Sequence, residues 1–155
     1  RDFRKQIMEN DGWIISLVYF KFYSIRFSFV VDRILLTGAT GFIGSHLSEL
    51  CVEQGFEVVA FDRYNPNNHW GWLEQSKYKN DLNVILGDIR DYDSVYKSMD
   101  GCSAVFHLAA LIGIPYSYVS PLAYIRTNVE GTYNVLEAAK NLGLEQSALS
   151  FTKNL

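Results

Sequence analysis

A chain of 155 residues is long enough for one domain with its own core and too short for two ordinary ones. Its composition, 48% hydrophobic and 20% charged with three prolines, is that of a soluble globular protein; a net charge of −3 without a Lys/Arg cluster argues against a nucleic-acid-binding surface. The two cysteines, Cys51 and Cys102, match no zinc spacing and are too few for a disulfide framework, so a reduced, cytoplasmic setting with no metal site is expected.

Taken in chain order, residues 1–31 form an atypical aromatic extension. Trp13 to Val31 has nearly the length of a membrane span, but Lys21 and Arg26 lie inside it, and central charges oppose insertion. From Tyr23 onward, Tyr23, Ile25, Phe27, Phe29 and Val31 alternate with polar positions, which is a strand period. A membrane role is therefore disfavoured. From Arg33 short strands and helices alternate: strands at 34–36, 57–61, 84–86 and 104–108, helices at 42–54 and 92–99, and a short helix at 70–77. Ile43, Leu47, Leu50 and Val52 supply the apolar face of the first helix, and Gly55 ends it. Pro121 opens a long helix whose face reads Leu122, Ile125, Val129, Leu136 and Ala139, with Gly143 as the stop. This order predicts an α/β fold, a Rossmann-type doubly wound parallel sheet over 32–145.

Gly38, Gly41 and Gly44 lie between the first strand and the first helix, spaced G-x-x-G-x-x-G. The first glycine allows a sharp turn, the second leaves room for a pyrophosphate beside the backbone, and the third permits close helix packing. Free N–H groups and the positive end of the helix dipole then meet the phosphate charge. Asp62 follows 18 positions after Gly44, at the end of the second strand. A carboxylate there accepts hydrogen bonds from ribose hydroxyls and repels a 2′-phosphate, which favours NAD. Arg63 follows it directly, and its guanidinium keeps NADP open as the alternative.

Four segments together resemble the extended short-chain dehydrogenase/reductases of the NAD-dependent epimerase/dehydratase type: T-G-A-T-G-F-I-G-S-H-L (37–47), G-D-I-R-D (87–91), H-L-A-A (107–110) and N-V-E-G-T-Y-N-V-L-E-A-A (128–139). The resemblance covers residues 33–145 and implies a cofactor site built from Gly38, Thr40, Gly41, Phe42, Ile43, Gly44, Asp62, Arg63, Asp88, Ile89, Leu108, Ala109 and Ala110. It gives Asp88 to the adenine amino group with the Ile89 backbone beside it, and Leu108 to Ala110 to the cleft wall. Asn128 matches a helix asparagine that supports the proton relay, whereas His107 corresponds to a structural position. The segments at 63–73 and 109–118 are similar to nucleotide-sugar 4,6-dehydratases of the legionaminic-acid type, with Trp70 and Trp72 as packing aromatics and Tyr116 and Tyr118 either facing the sugar or covering the cleft.

The resemblance also implies a nucleoside-diphosphate sugar substrate, lyase or isomerase chemistry, and homodimers formed in part through the helix at 121–141. It calls for a Tyr acid/base with a Lys four positions later, and no Lys in the 155 residues has Tyr four positions before it. Residues 146–155, Q-S-A-L-S-F-T-K-N-L, read as a tail outside the family, where a Val-rich fifth strand is expected. A fragment truncated after the fourth strand-helix unit, inactive as it stands, is the resulting expectation. Family members begin just before the first strand, so Val31, read from a GTG codon, is a candidate start and residues 1–30 a candidate for non-native coding sequence. The competing readings are a non-catalytic dinucleotide-binding module or pseudoenzyme, and a membrane-tethered Rossmann protein.

Overall fold

The computed structural model describes residues 33–144 and the backbone of 146–149. The aromatic stretch at 13–31, and with it the proposed start at Val31, lies outside the described residues. Strand β1 (Arg33–Thr37) is followed by helix α1 (Phe42–Glu53), β2 (Glu57–Arg63), two short 3₁₀ turns (Gly71–Gln75 and Lys79–Asp81) and β3 (Leu82–Gly87). Helix α2 (Tyr92–Met99), β4 (Ala104–His107) and the short α3 (Ile114–Val119) come next. A helix then runs through α4 (Pro121–Ile125), a π segment (Arg126–Glu130) and α5 (Gly131–Asn141).

The strands are parallel in the order β3-β2-β1-β4-β5, with β5 at Gln146–Leu149. Ile34, Leu35 and Leu36 of β1 are at most 1% exposed, as expected where parallel strands are covered on both faces. One face carries Leu35, Val59, Phe61 and Val105 against Val95 and Met99 of α2 and Val135, Ala138 and Ala139 of α5. Helix α1 packs against β1 and β2, and strand alternation assigns it Ile34, Leu36, Val58 and Ala60 on the opposite face. The doubly wound parallel sheet is as the sequence predicts. Alternation of strand and helix leaves no other way to bury these strands.

Three expectations are corrected. The backbone of Gln146–Leu149 pairs parallel with β4, Ala104 opposite Gln146 and His107 opposite Leu149, so a strand follows the fourth strand-helix unit where none was expected. In α1 the buried residues are Gly44, Ser45, Leu47, Ser48 and Cys51, so Leu47 alone of the predicted face is fully buried. Small residues let this helix lie close to the sheet, and the Ser45 and Ser48 hydroxyls donate to Phe42 O and Gly44 O at 3.0 and 2.9 Å, which satisfies them in place.

In the long helix, Leu122, Ile125, Val129 and Leu136 are exposed, and only Ala139 of the predicted face is buried. The helix buries Gly131, Asn134, Val135, Ala138 and Ala139, and no residue of Pro121–Glu130 is buried, so the larger apolar side chains lie together on the exposed side.

Candidate dinucleotide site

The C-terminal ends of β1, β2 and β4 open onto a cleft of about 530 Å³. It lies where β1 has β2 on one side and β4 on the other, the point in an open sheet where ligands gather. All thirteen residues that the sequence reading groups into a site line this cleft, from Gly38 and Thr40 at its start to Leu108, Ala109 and Ala110 at its end. Phe61, Arg90, Leu111, Ile112, Tyr116, Ala123 and Thr127 complete the lining. Of these Tyr116 was expected at the cleft, Arg90 stands inside G-D-I-R-D and Leu111 and Ile112 inside the segment 109–118, whereas Phe61, Ala123 and Thr127 were not anticipated there.

The loop is shaped by contacts that only glycine permits. Gly38 has φ +72°, and a Cβ there would stand 2.7 Å from Ala109 N. A Cβ on Gly44 would meet Gly38 O at 2.0 Å, so the third glycine seats the helix against the loop itself. Gly41 differs: its nearest contact would be Gly38 O at 3.3 Å, and nothing else blocks the space beside it. The backbone at Gly41 is therefore open to the cleft, beside the first N–H groups of α1, which have no partner within a helix. An anionic phosphate fits this cradle.

Asp62 is held on both oxygens. Its Oδ2 accepts from Thr40 N at 2.7 Å and from Thr40 Oγ1 at 2.6 Å, while Oδ1 accepts from Arg63 N at 2.6 Å. Two bonds saturate Oδ2, and Oδ1 keeps an acceptor position for a hydroxyl. Asp88 is engaged more fully. Arg90 Nε donates to Oδ1 at 2.9 Å and to Oδ2 at 3.0 Å, Arg90 N donates to Oδ1 at 2.9 Å, and Nη2 donates to Oδ2. The Arg90 side-chain bonds hold the Asp88 carboxyl below the usual carboxylate range, with the nearby Arg63 charge adding to it. A ligand amino group at Asp88 thus has to share the carboxylate with Arg90.

The Ile89 side chain is buried, packed against Gly131 so closely that a Cβ there would stand 2.6 Å from Ile89 Cδ1. The Ile89 carbonyl accepts from Asn134 Nδ2 at 3.0 Å. Asn134 was not anticipated, although it lies in the N-V-E-G-T-Y-N motif six residues after Asn128.

Asn128 sits in the π segment and does not line the cleft. Its Oδ1 accepts from Leu111 N and its Nδ2 donates to Leu111 O, both at 2.8 Å. The amide is engaged by the loop after β4, so Asn128 positions that loop. Tyr124 adds to the same clamp, its hydroxyl donating to Gly113 O.

His107 is buried at the end of β4, and burial lowers its pKa to about 4. The Trp pair packs: Trp72 meets Phe42 edge-on at 5.5 Å and donates its backbone N–H to Thr40 O at 3.0 Å, and Lys79 Nζ lies 5.1 Å from the Trp70 ring. Tyr116 lines the cleft while half exposed, and Tyr118 is 84% exposed. Among the described residues no helix is long and apolar enough to cross a membrane.

Comparison with known proteins agrees with this geometry. A family profile described as GDP-mannose 4,6 dehydratase matches residues 35–152, running past β4 into the segment expected to lie outside the family. UDP-N-acetyl-alpha-D-glucosaminuronate decarboxylase of Bacillus cytotoxicus is 36% identical over 111 residues, covering 69% of this chain and 32% of that protein. Among solved structures, the UDP-glucose 4-epimerase of Thermus thermophilus in complex with NAD shares 31% identity at a TM-score of 0.63, over 74% of this chain and 36% of that one. MoeE5 in complex with UDP-glucuronic acid and NAD shares 36% identity at a TM-score of 0.62, over 76% of this chain and 36% of that one. The chain thus spans about a third of the length of the relatives it matches. The chain belongs to the GDP-mannose 4,6-dehydratase family, within the extended short-chain dehydrogenase/reductases.

Proposed function

We propose that this chain is the cofactor-binding portion of an NAD-dependent nucleotide-sugar epimerase or 4,6-dehydratase. The convergence of a glycine cradle, two carboxylates and the β4 end on one cleft carries the reading. In it, the Gly38–Gly44 loop and the start of α1 hold the pyrophosphate, and Asp62 takes a ribose hydroxyl. Asp88, with the Ile89 backbone, meets the adenine amino group. Leu108, Ala109 and Ala110 form the wall that orients the nicotinamide end, and Asn128 keeps that wall in place through Leu111. NAD, when bound, supplies a hydride acceptor for C4 of a nucleoside-diphosphate sugar.

NAD is favoured over NADP because Asp62 presents a fixed negative charge, although Arg63 lines the same cleft. Related solved proteins are described with UDP-glucuronic acid and NAD, which supports a nucleotide-sugar substrate for the whole protein. The similarity of residues 63–73 and 109–118 to N-acetylamino-sugar 4,6-dehydratases favours that subclass. Homodimers of the whole protein are part of the same reading, and so is a cytoplasmic setting.

A second reading, a dinucleotide-binding module without catalysis, shares the same cleft and differs only in turnover. Calorimetric titration of the chain with NAD and with NADP tests what the two readings share. Binding of NAD below millimolar concentrations is expected, and no heat from either nucleotide would remove the cofactor assignment. Turnover of UDP-sugars by the same chain would overturn the second reading.

A further inference from the structure

Asp62 is not a free loop acid, because Thr40 grips one of its oxygens with both a backbone N–H and a hydroxyl, 2.7 and 2.6 Å away. Thr40 is itself held from outside. Its carbonyl accepts from Trp72 N at 3.0 Å, and Gly71, at φ +53°, lies so close that a Cβ there would be 2.5 Å from Thr40 O. Trp72 rests edge-on against Phe42, the first residue of α1. The turn at Gly71–Gln75 thus braces the glycine loop, and the loop braces the carboxylate.

This arrangement matters because Arg63 stands next to Asp62 on the same cleft with the opposite preference. A carboxylate repels a 2′-phosphate, whereas a guanidinium attracts one. Which residue decides depends on whether the carboxylate keeps its place. Rotation of Asp62 away from the ribose would withdraw the repulsion and leave Arg63 in control. The Thr40 hydroxyl opposes that rotation, since it contributes the second bond on Oδ2.

We propose that Thr40 is a positioning residue that sets the cofactor preference of this cleft by fixing the Asp62 carboxylate against a 2′-phosphate and toward a ribose hydroxyl. The inference rests on the cofactor reading above and gives Thr40, which lines the same cleft, a role exerted through Asp62. Thr40 acts on selectivity, so its loss moves the ratio of the two affinities more than the stability of the fold.

The test is calorimetric titration of the full chain and its variants with NAD and NADP, with thermal melts as a check of folding. Thr40→Ala removes the hydroxyl without adding bulk, and Thr40→Ser retains it. Thr40→Ala is expected to weaken NAD by about fivefold, the effect of one hydrogen bond, while NADP is unchanged or tighter. Thr40→Ser should keep the wild-type ratio. Adding Thr40→Ala to Asp62→Asn should change the ratio no further, because Thr40 works through that carboxylate.

Equal weakening of both nucleotides by Thr40→Ala, or full additivity with Asp62→Asn, overturns the inference. So does a Thr40→Ser variant whose ratio has collapsed despite its hydroxyl. A wild-type chain that binds neither nucleotide overturns the cofactor reading itself, which separates the two failures.

Discussion

Thr37 Oγ1 and His107 Nδ1 meet 2.6 Å apart in the buried centre of the sheet, joining the end of β1 to the end of β4 just below the cleft. The remaining bonds assign the protons. Thr132 Oγ1 donates to Asn128 O at 2.7 Å, so it accepts from His107 Nε2, 3.1 Å away. Thr37 Oγ1 accepts from Ala109 N at 3.3 Å and gives its own proton to Nδ1. The ring is therefore the neutral Nε2–H tautomer, assigned from the network, and it links the cleft floor to the long helix.

That network predicts an acid-sensitive fold. Burial lowers the His107 pKa from 6.5 to about 4, so the unfolded chain takes up a proton that the folded chain refuses. Stability is complete above the unfolded value and falls as pH drops from about 6.5 toward about 4, by roughly 2 kcal/mol at pH 5. Urea unfolding at pH 7.5 and pH 5 measures it, with His107→Gln as the reference that lacks the ionisation. Equal acid losses in wild type and variant would sink the prediction.

Gly41 and Gly44 predict opposite outcomes for the same substitution. Gly44→Ala drives a Cβ to 2.0 Å from Gly38 O and should cost about 1–3 kcal/mol of stability or more. Gly41→Ala meets only Gly38 O at 3.3 Å, at an ordinary φ of −71°, and should melt within about 0.5 kcal/mol of wild type. The new methyl instead occupies the phosphate cradle, so NAD affinity should fall tenfold or more while the fold persists. Paired melts and titrations separate these effects, and a Gly41→Ala variant with wild-type affinity would displace the phosphate from that loop.

Asp88 and Arg90 form a partly exposed pair, with side chains 32% and 41% accessible. Solvent screening keeps its contribution to stability within about 1 kcal/mol. The Asp88 pKa is depressed, so what stability it adds is present above its unfolded value and is lost as pH falls through the lower folded one. Arg90→Gln should raise the Asp88 pKa toward the ordinary carboxylate value with little change in melting temperature. It should also free the carboxylate for an amino donor and tighten NAD binding a few-fold. Carboxylate NMR titration and calorimetry read the two effects. Weaker NAD binding in Arg90→Gln would mean that Arg90 itself contacts the ligand.

Leu122, Ile125, Val129, Tyr133 and Leu136 leave an exposed apolar stripe on the long helix. A stripe of this kind on a helix that the family resemblance assigns to dimers should bury itself against a second copy. Ile125→Glu with Val129→Glu, at positions 58% and 64% exposed, should produce a monomer in sedimentation velocity without lowering the melting temperature. A wild-type chain that already sediments as a monomer at 100 µM would refute that role for the stripe.

Local chemistry along the chain dictates the sheet, the glycine cradle and the acidic pair, and all three are legible before any coordinates. They follow from short apolar strands alternating with helices, a turn that needs glycine, Asp62 placed at a strand end by its distance from that turn, and the family resemblance that assigns Asp88 through G-D-I-R-D. The rest waited on the folded chain. Ser45, Ser48 and Cys51 face the sheet because a close helix needs small residues, and hydrophobicity along the sequence does not report closeness. Leu122, Ile125 and Val129 face outward because the long helix packs on the core through Val135, Ala138 and Ala139, and a regular apolar spacing does not say which side of a helix is covered. Asn128 on Leu111, Asn134 on Ile89 and Thr40 on Asp62 join residues 17, 45 and 22 positions apart. Such pairings arise only once the sheet has closed and each buried polar group must find the partner beside it.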